Sequence, residues 1–199
     1  MKNVSIVIGE NLKHKIVFSS ITIALVGVLF GFGLTTFAYA YATSGCKYSS
    51  GSIDPISYRF FSVAESSYVD ATKYGANAWN ATSTPGYFSE ESLSLDPEVN
   101  VTDDAYGANT FYAKIEATCT GGGVYSGNEV NFIWNTDEAP SRTTSQKQRI
   151  GTHELGHAYG LAHVSTLCRI MRADVGYMTD CTITTPAADD IDGANAVNS

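Results

Sequence analysis

Residues 153–163 read His153-Glu154-Leu155-Gly156-His157-Ala158-Tyr159-Gly160-Leu161-Ala162-His163. On an α-helix, residues four apart project from one face, so His153 and His157 can offer both imidazoles to a single ion. Glu154 is offset by one residue, close enough to reach a water beside the metal without being forced to bind the metal. Gly160 adopts a positive φ at little cost, which lets the chain turn sharply and carry His163 back as a third ligand. Three neutral imidazoles leave a fourth position for water, the pattern of a catalytic zinc site rather than a closed structural one. The chain has four histidines. The remaining one, His14, lies near the N-terminus, so every histidine after residue 40 belongs to this stretch.

Working outward, Gln146 to His157 reads as a helix stopped by Gly160. Upstream, Val130, Phe132 and Trp134 alternate with Glu129, Asn131 and Asn135. Phe111, Ala113, Ile115 and Ala117 alternate with Tyr112, Lys114, Glu116 and Thr118. Both patterns predict half-buried strands with one wet face. Ile56 to Phe61 is a short β-prone run. Ser67, with Asp70 as its capping-box partner, opens a helix whose Tyr68, Thr72, Gly75 and Trp79 share a face. Downstream, Thr185 reads as an N-cap with Pro186 at the first helical position, and Asp189 and Asp190 suit the positive end of that helix. This order of elements is α+β with a mixed or antiparallel-edged sheet.

At 199 residues the chain suits one globular domain, and 44% hydrophobic with 16% charged residues argues for a packed core. The formal charge is −8, and the part after residue 40 carries nine basic and nineteen acidic residues. Nucleic acid is therefore excluded as a partner by charge. Residues 1–40 have the parts of a secretory signal: Lys13 and Lys15, an apolar run from Ile16 to about Phe37, and Ala38-Tyr39-Ala40, with cleavage expected after Ala40 or Ala42. The membrane enters only if residues 16–40 stay uncleaved as an anchor. The domain proper is then 41–199. Cys46, Cys119, Cys168 and Cys181 remain, an even number that predicts two disulfides with three possible connectivities. Cys168 and Cys181, close in sequence, are expected to pair, leaving Cys46 with Cys119. Asn80-Ala81-Thr82 and Asn100-Val101-Thr102 fit glycosylation sequons.

The 153–163 stretch resembles the zinc-binding signature of the metzincin metallopeptidases. A methionine in a turn downstream forms the floor under the metal in that superfamily, and Met171 is the match here, with Met178 a rival further along. Ile56–Phe60, Trp79, Thr84-Pro85 through Phe88-Ser89, and Ala188–Gly193 resemble the matrixin branch in order and spacing, over nearly all of residues 55–195. Val164 departs from it, since matrixins typically carry Ser directly after the third histidine. The resemblance implies a zincin domain with a twisted, mostly parallel sheet, an antiparallel edge strand, an active-site helix and a C-terminal helix. It implies that His153, His157 and His163 bind one zinc ion and that Glu154 is the general base. It also implies a secreted endopeptidase whose protein or peptide substrate lies extended along about Thr110–Thr118. The specificity pocket would be walled by about Arg172–Thr185. A non-catalytic zinc-containing binding protein is the alternative, disfavoured by the intact Glu154. Calcium sites and oligomeric state are not given by the sequence.

Overall fold

The computed structural model describes residues 41–49, 53–92, 96–108, 111–173 and 181–199. The leader expected over 1–40 lies outside them, as do Met178 and half of the expected pocket wall. The elements run β1 (Ala42–Thr43), β2 (Ile56–Ser62), α1 (Ser66–Asn80), β3 (Phe88–Glu90), β4 (Val99–Asp104), β5 (Ala113–Glu116), β6 (Val130–Asn135), α2 (Thr144–Ala158), β7 (Leu161–Ala162) and α3 (Ala188–Asn198). Strands β2 to β6 form one sheet in the order β3-β2-β4-β6-β5. The first four of these are mutually parallel, and β5 runs antiparallel to β6 at the edge. The expected mostly parallel sheet with an antiparallel edge strand is thus present, with three helices among the described residues.

Helix α1 buries the face that its spacing marks, including Tyr68, Thr72, Gly75 and Trp79. The Tyr68 ring stacks on Trp134 with centroids 4.8 Å apart. The Trp134 indole N–H donates to Thr72 Oγ1 at 3.1 Å, so the sheet is joined to α1 by both packing and a satisfied buried donor. Trp79 Nε1 donates to Thr152 O at 2.8 Å and ties α1 to α2. The Ser67–Asp70 capping box does not form. The helix starts at Ser66 with Glu65 at the cap and no side-chain cap bond, which places Ser67 inside the first turn, where its hydroxyl accepts from Lys147 Nζ at 3.0 Å. At the other end, α3 starts at Ala188 rather than Pro186, and Asp190 Oδ2 accepts from Ala187 N at 2.8 Å.

One strand expectation is corrected, and one strand, β4, is an element that the patterns above do not mark: it lies between β2 and β6 in the sheet, with Val99 and Val101 on one face fully buried. Asn135 does not face water: it is fully buried. Its side-chain oxygen accepts from Tyr106 N and Asp137 N, and its amide donates to Gly107 O and Phe111 O. A buried amide here satisfies loop backbone that would otherwise be left unpaired. Both sequon asparagines are similarly engaged. Asn80 brackets the backbone of Phe88 through both its donor and its acceptor, and Asn100 donates to Glu129.

Candidate metal centre

Helix α2 opens on a capping box. Thr143 Oγ1 accepts from Gln146 N at 3.3 Å, and Gln146 Oε1 accepts from Thr143 N at 2.9 Å. The helix runs through the first two histidines and ends at Ala158. Gly160 then has φ +95°, and a Cβ there would fall 2.3 Å from Cys46 O, so both the turn and the crossing strap require glycine. The chain enters β7, which pairs antiparallel with β1 through Ala42↔Ala162 and Thr43↔Leu161. His163 follows immediately.

The turn brings the three imidazoles together. The Nε2 atoms lie 3.1 Å (His153–His163), 3.1 Å (His153–His157) and 3.0 Å (His157–His163) apart. His153 Nδ1 sits 2.6 Å from Ile170 O and His157 Nδ1 2.8 Å from Leu161 O. A carbonyl only accepts, so each Nδ1 carries the ring proton and each Nε2 turns a lone pair inward. Converging lone pairs are the donor set of a cation, and ligands on a tetrahedral zinc at about 2.0–2.1 Å lie about 3.3–3.4 Å from one another. The three residues present therefore fit a zinc ion, with atoms a few tenths of an ångström closer than the bound spacing. Burial also holds the rings neutral. It drives His153 well below its ordinary value, aided by the neighbouring His157, takes His157 to about 4 and lowers His163.

Glu154 is 5% exposed. Burial pushes its carboxyl up to about 8, opposed by a hydrogen bond from the Ile115 backbone on β5. Its Oε2 is buried with no hydrogen-bond partner, an orphan acceptor of the kind that a reacting proton would satisfy. The residue lines a cleft of about 620 Å³ that contains all three histidines and runs along Phe111–Ile115 of the edge strand.

Met171 packs against Gly156, between His153 and His157 on α2. It is 1% exposed, and a Cβ on Gly156 would meet its sulfur at 2.3 Å. Its carbonyl accepts from Val164 N at 3.0 Å, which fixes the residue after His163. Sequence reasoning missed two supporting groups. Asp190 Oδ2 accepts from Ile170 N at 3.3 Å, steadying the residue whose carbonyl orients His153. Tyr125 OH donates to His157 O at 2.9 Å. Both expected disulfides are formed, Cys46–Cys119 and Cys168–Cys181, and the first borders the cleft.

The sequence matches no protein-family model and no curated protein. Among solved structures it is similar to myroilysin, with 21% identity, a TM-score of 0.41 and coverage of 62% of this chain and 54% of that one. The chain thus spans about half the length of that structure, and a likeness this loose assigns neither fold nor activity.

Proposed function

We propose that this protein is a secreted, zinc-dependent endopeptidase of metzincin type, with His153, His157 and His163 as metal ligands and Glu154 as general base. The observation that carries the reading is the convergence of three Nε2 lone pairs, two of them fixed by main-chain carbonyls, beside a buried carboxylate in a cleft floored by an edge strand. Zinc at such a triad supplies Lewis acidity, polarising a scissile carbonyl and making water nucleophilic near neutral pH. The chain's own groups do the rest. An extended peptide adds to the outer edge of β5, where main-chain pairing gives affinity with little sequence demand. Glu154 takes a proton from the attacking water and passes it to the leaving amine. A cation nearby favours the carboxylate form and draws its raised pKa back down, so that it can accept. The Ile170 carbonyl holds the His153 ring in place throughout. Two disulfides suit an oxidising, extracellular setting.

The test is digestion of a denatured protein substrate with and without a chelator, beside Glu154→Ala. Chelation should abolish cleavage. The variant should keep its zinc but lose about 10²–10⁴-fold in rate, the range of a positioned general base. A zinc-loaded wild type that is inert, or a variant that stays fully active, rules the mechanism out.

A further inference from the structure

The Cys46–Cys119 disulfide joins two segments that each touch the turn carrying the second and third histidines. The first segment is the strap of residues 42–46. It pairs with Leu161 and Ala162, directly before His163. Ser44 N and Ser44 Oγ both donate to Gly160 O, at 2.8 Å and 3.1 Å. Cys46 O lies so close over the turn that a Cβ on Gly160 would fall 2.3 Å from it. The second segment is a hairpin over residues 118–126. Ser126 N donates to Thr118 O at 2.7 Å and Thr120 N to Val124 O at 2.8 Å, and Cys119 pairs with Tyr125 across it. The Tyr125 hydroxyl donates to His157 O at 2.9 Å. Strap and hairpin meet beside the disulfide, where Lys47 N donates to Gly123 O at 3.0 Å and Tyr125 N to Lys47 O at 2.9 Å.

The strap has a weak hold of its own. Its strand is two residues long, too short to be stable alone, and Thr43, Ser44 and Gly45 are exposed. The turn depends on it nonetheless, because Leu161 O fixes the His157 ring through Nδ1 and Leu161 is paired with Thr43 of the strap. We infer that Cys46 and Cys119 are positioning residues for the metal ligands: by locking strap to hairpin, their disulfide keeps His157 and His163 at the spacing that zinc needs. This deepens the metal-ligand reading above and rests on it. Joined to each other, the two cysteines offer the metal no thiolate, so they act through Gly160, Leu161 and Tyr125. Groups that orient metal ligands change affinity by about 10–100-fold. If the disulfide served only to restrict the unfolded chain, the folded protein would bind zinc equally well without it.

The experiment measures the zinc Kd of the full chain by competition with a chelator of known affinity, well below the melting temperature of each metal-free protein. Cys46→Ala/Cys119→Ala should bind zinc about 10–100-fold more weakly than wild type while still folded. Alanine also removes any thiol that could itself take the metal. Tyr125→Phe keeps the disulfide and loses only the bond to His157 O, and it should weaken zinc by about 2–10-fold, the scale of one hydrogen bond. Equal Kd values for wild type and the double alanine protein overturn the inference and leave the metal reading standing. If the double variant does not melt cooperatively, Tyr125→Phe decides, and a Kd equal to that of wild type then overturns it. If wild type with its disulfide intact binds no zinc, the metal reading fails and this inference falls with it.

Discussion

His153 and His157 each give the Nδ1 proton to a main-chain carbonyl, Ile170 and Leu161, and burial keeps both rings neutral. In the metal-free protein this arrangement couples stability to pH. The folded pKa values lie below the ordinary one near 6.5, with His157 at about 4, so the unfolded chain binds more protons between the two. Stability therefore rises with pH in that window. The histidine contribution is complete above about 6.5 and is lost as pH falls towards the folded values. Thermal melts of the metal-free protein should show a Tm that declines below pH 6.5, and replacing both residues by Gln should flatten the curve between 6.5 and 5. An identical slope in that variant would assign the decline to other groups. At this scale the motif residues were legible because the spacing of a helical turn and one glycine fixes them relative to each other. Asp190 and Tyr125 were not. They act on Ile170 and His157, 20 and 32 residues away, and no local pattern marks such a contact.

At the scale of elements, α2 is the most strongly specified piece of the chain. Its capping box satisfies a donor at each of two backbone positions, and its C-terminal end is closed by Gly160. Thr143→Ala should lower stability by about 1 kcal/mol, read from the midpoint of denaturant unfolding, with Gln146→Ala losing part of the same energy. A Thr143→Ala midpoint equal to that of wild type would show that the cap contributes nothing. Strand β4 shows the opposite case. Val99-Asn100-Val101-Thr102 alternates for only four residues before Asp103-Asp104, residues disfavoured in strands. Its place was decided by β2 and β6, not by its own sequence. The start of α1 differs as well, with Glu65 at the cap and Ser67 inside the first turn, bonded to Lys147 on α2.

Over the whole molecule the disulfides divide the work unequally. Cys46–Cys119 spans 73 residues and Cys168–Cys181 spans 13. A cross-link restricts the unfolded chain more when it closes a longer loop, which gives about 4 kcal/mol for the first and about 3 kcal/mol for the second. Denaturant unfolding of Cys46→Ala/Cys119→Ala should therefore show the larger loss, and the reverse order would mean that native-state contacts outweigh loop closure. Pairing was readable from the count and positions of the cysteines. What the first bridge borders was not, because the cleft is made by segments far apart in sequence.

That separation has a consequence for when the site comes into being. Residues 42–43 pair with 161–162, and Asp190 braces Ile170 from within 188–198. A chain leaving the ribosome presents the first of these early and the last late. A partly synthesised copy can hold all three histidines and the strap and still lack the brace at Asp190. The carbonyl that orients His153 is thus steadied only once synthesis has passed the third helix.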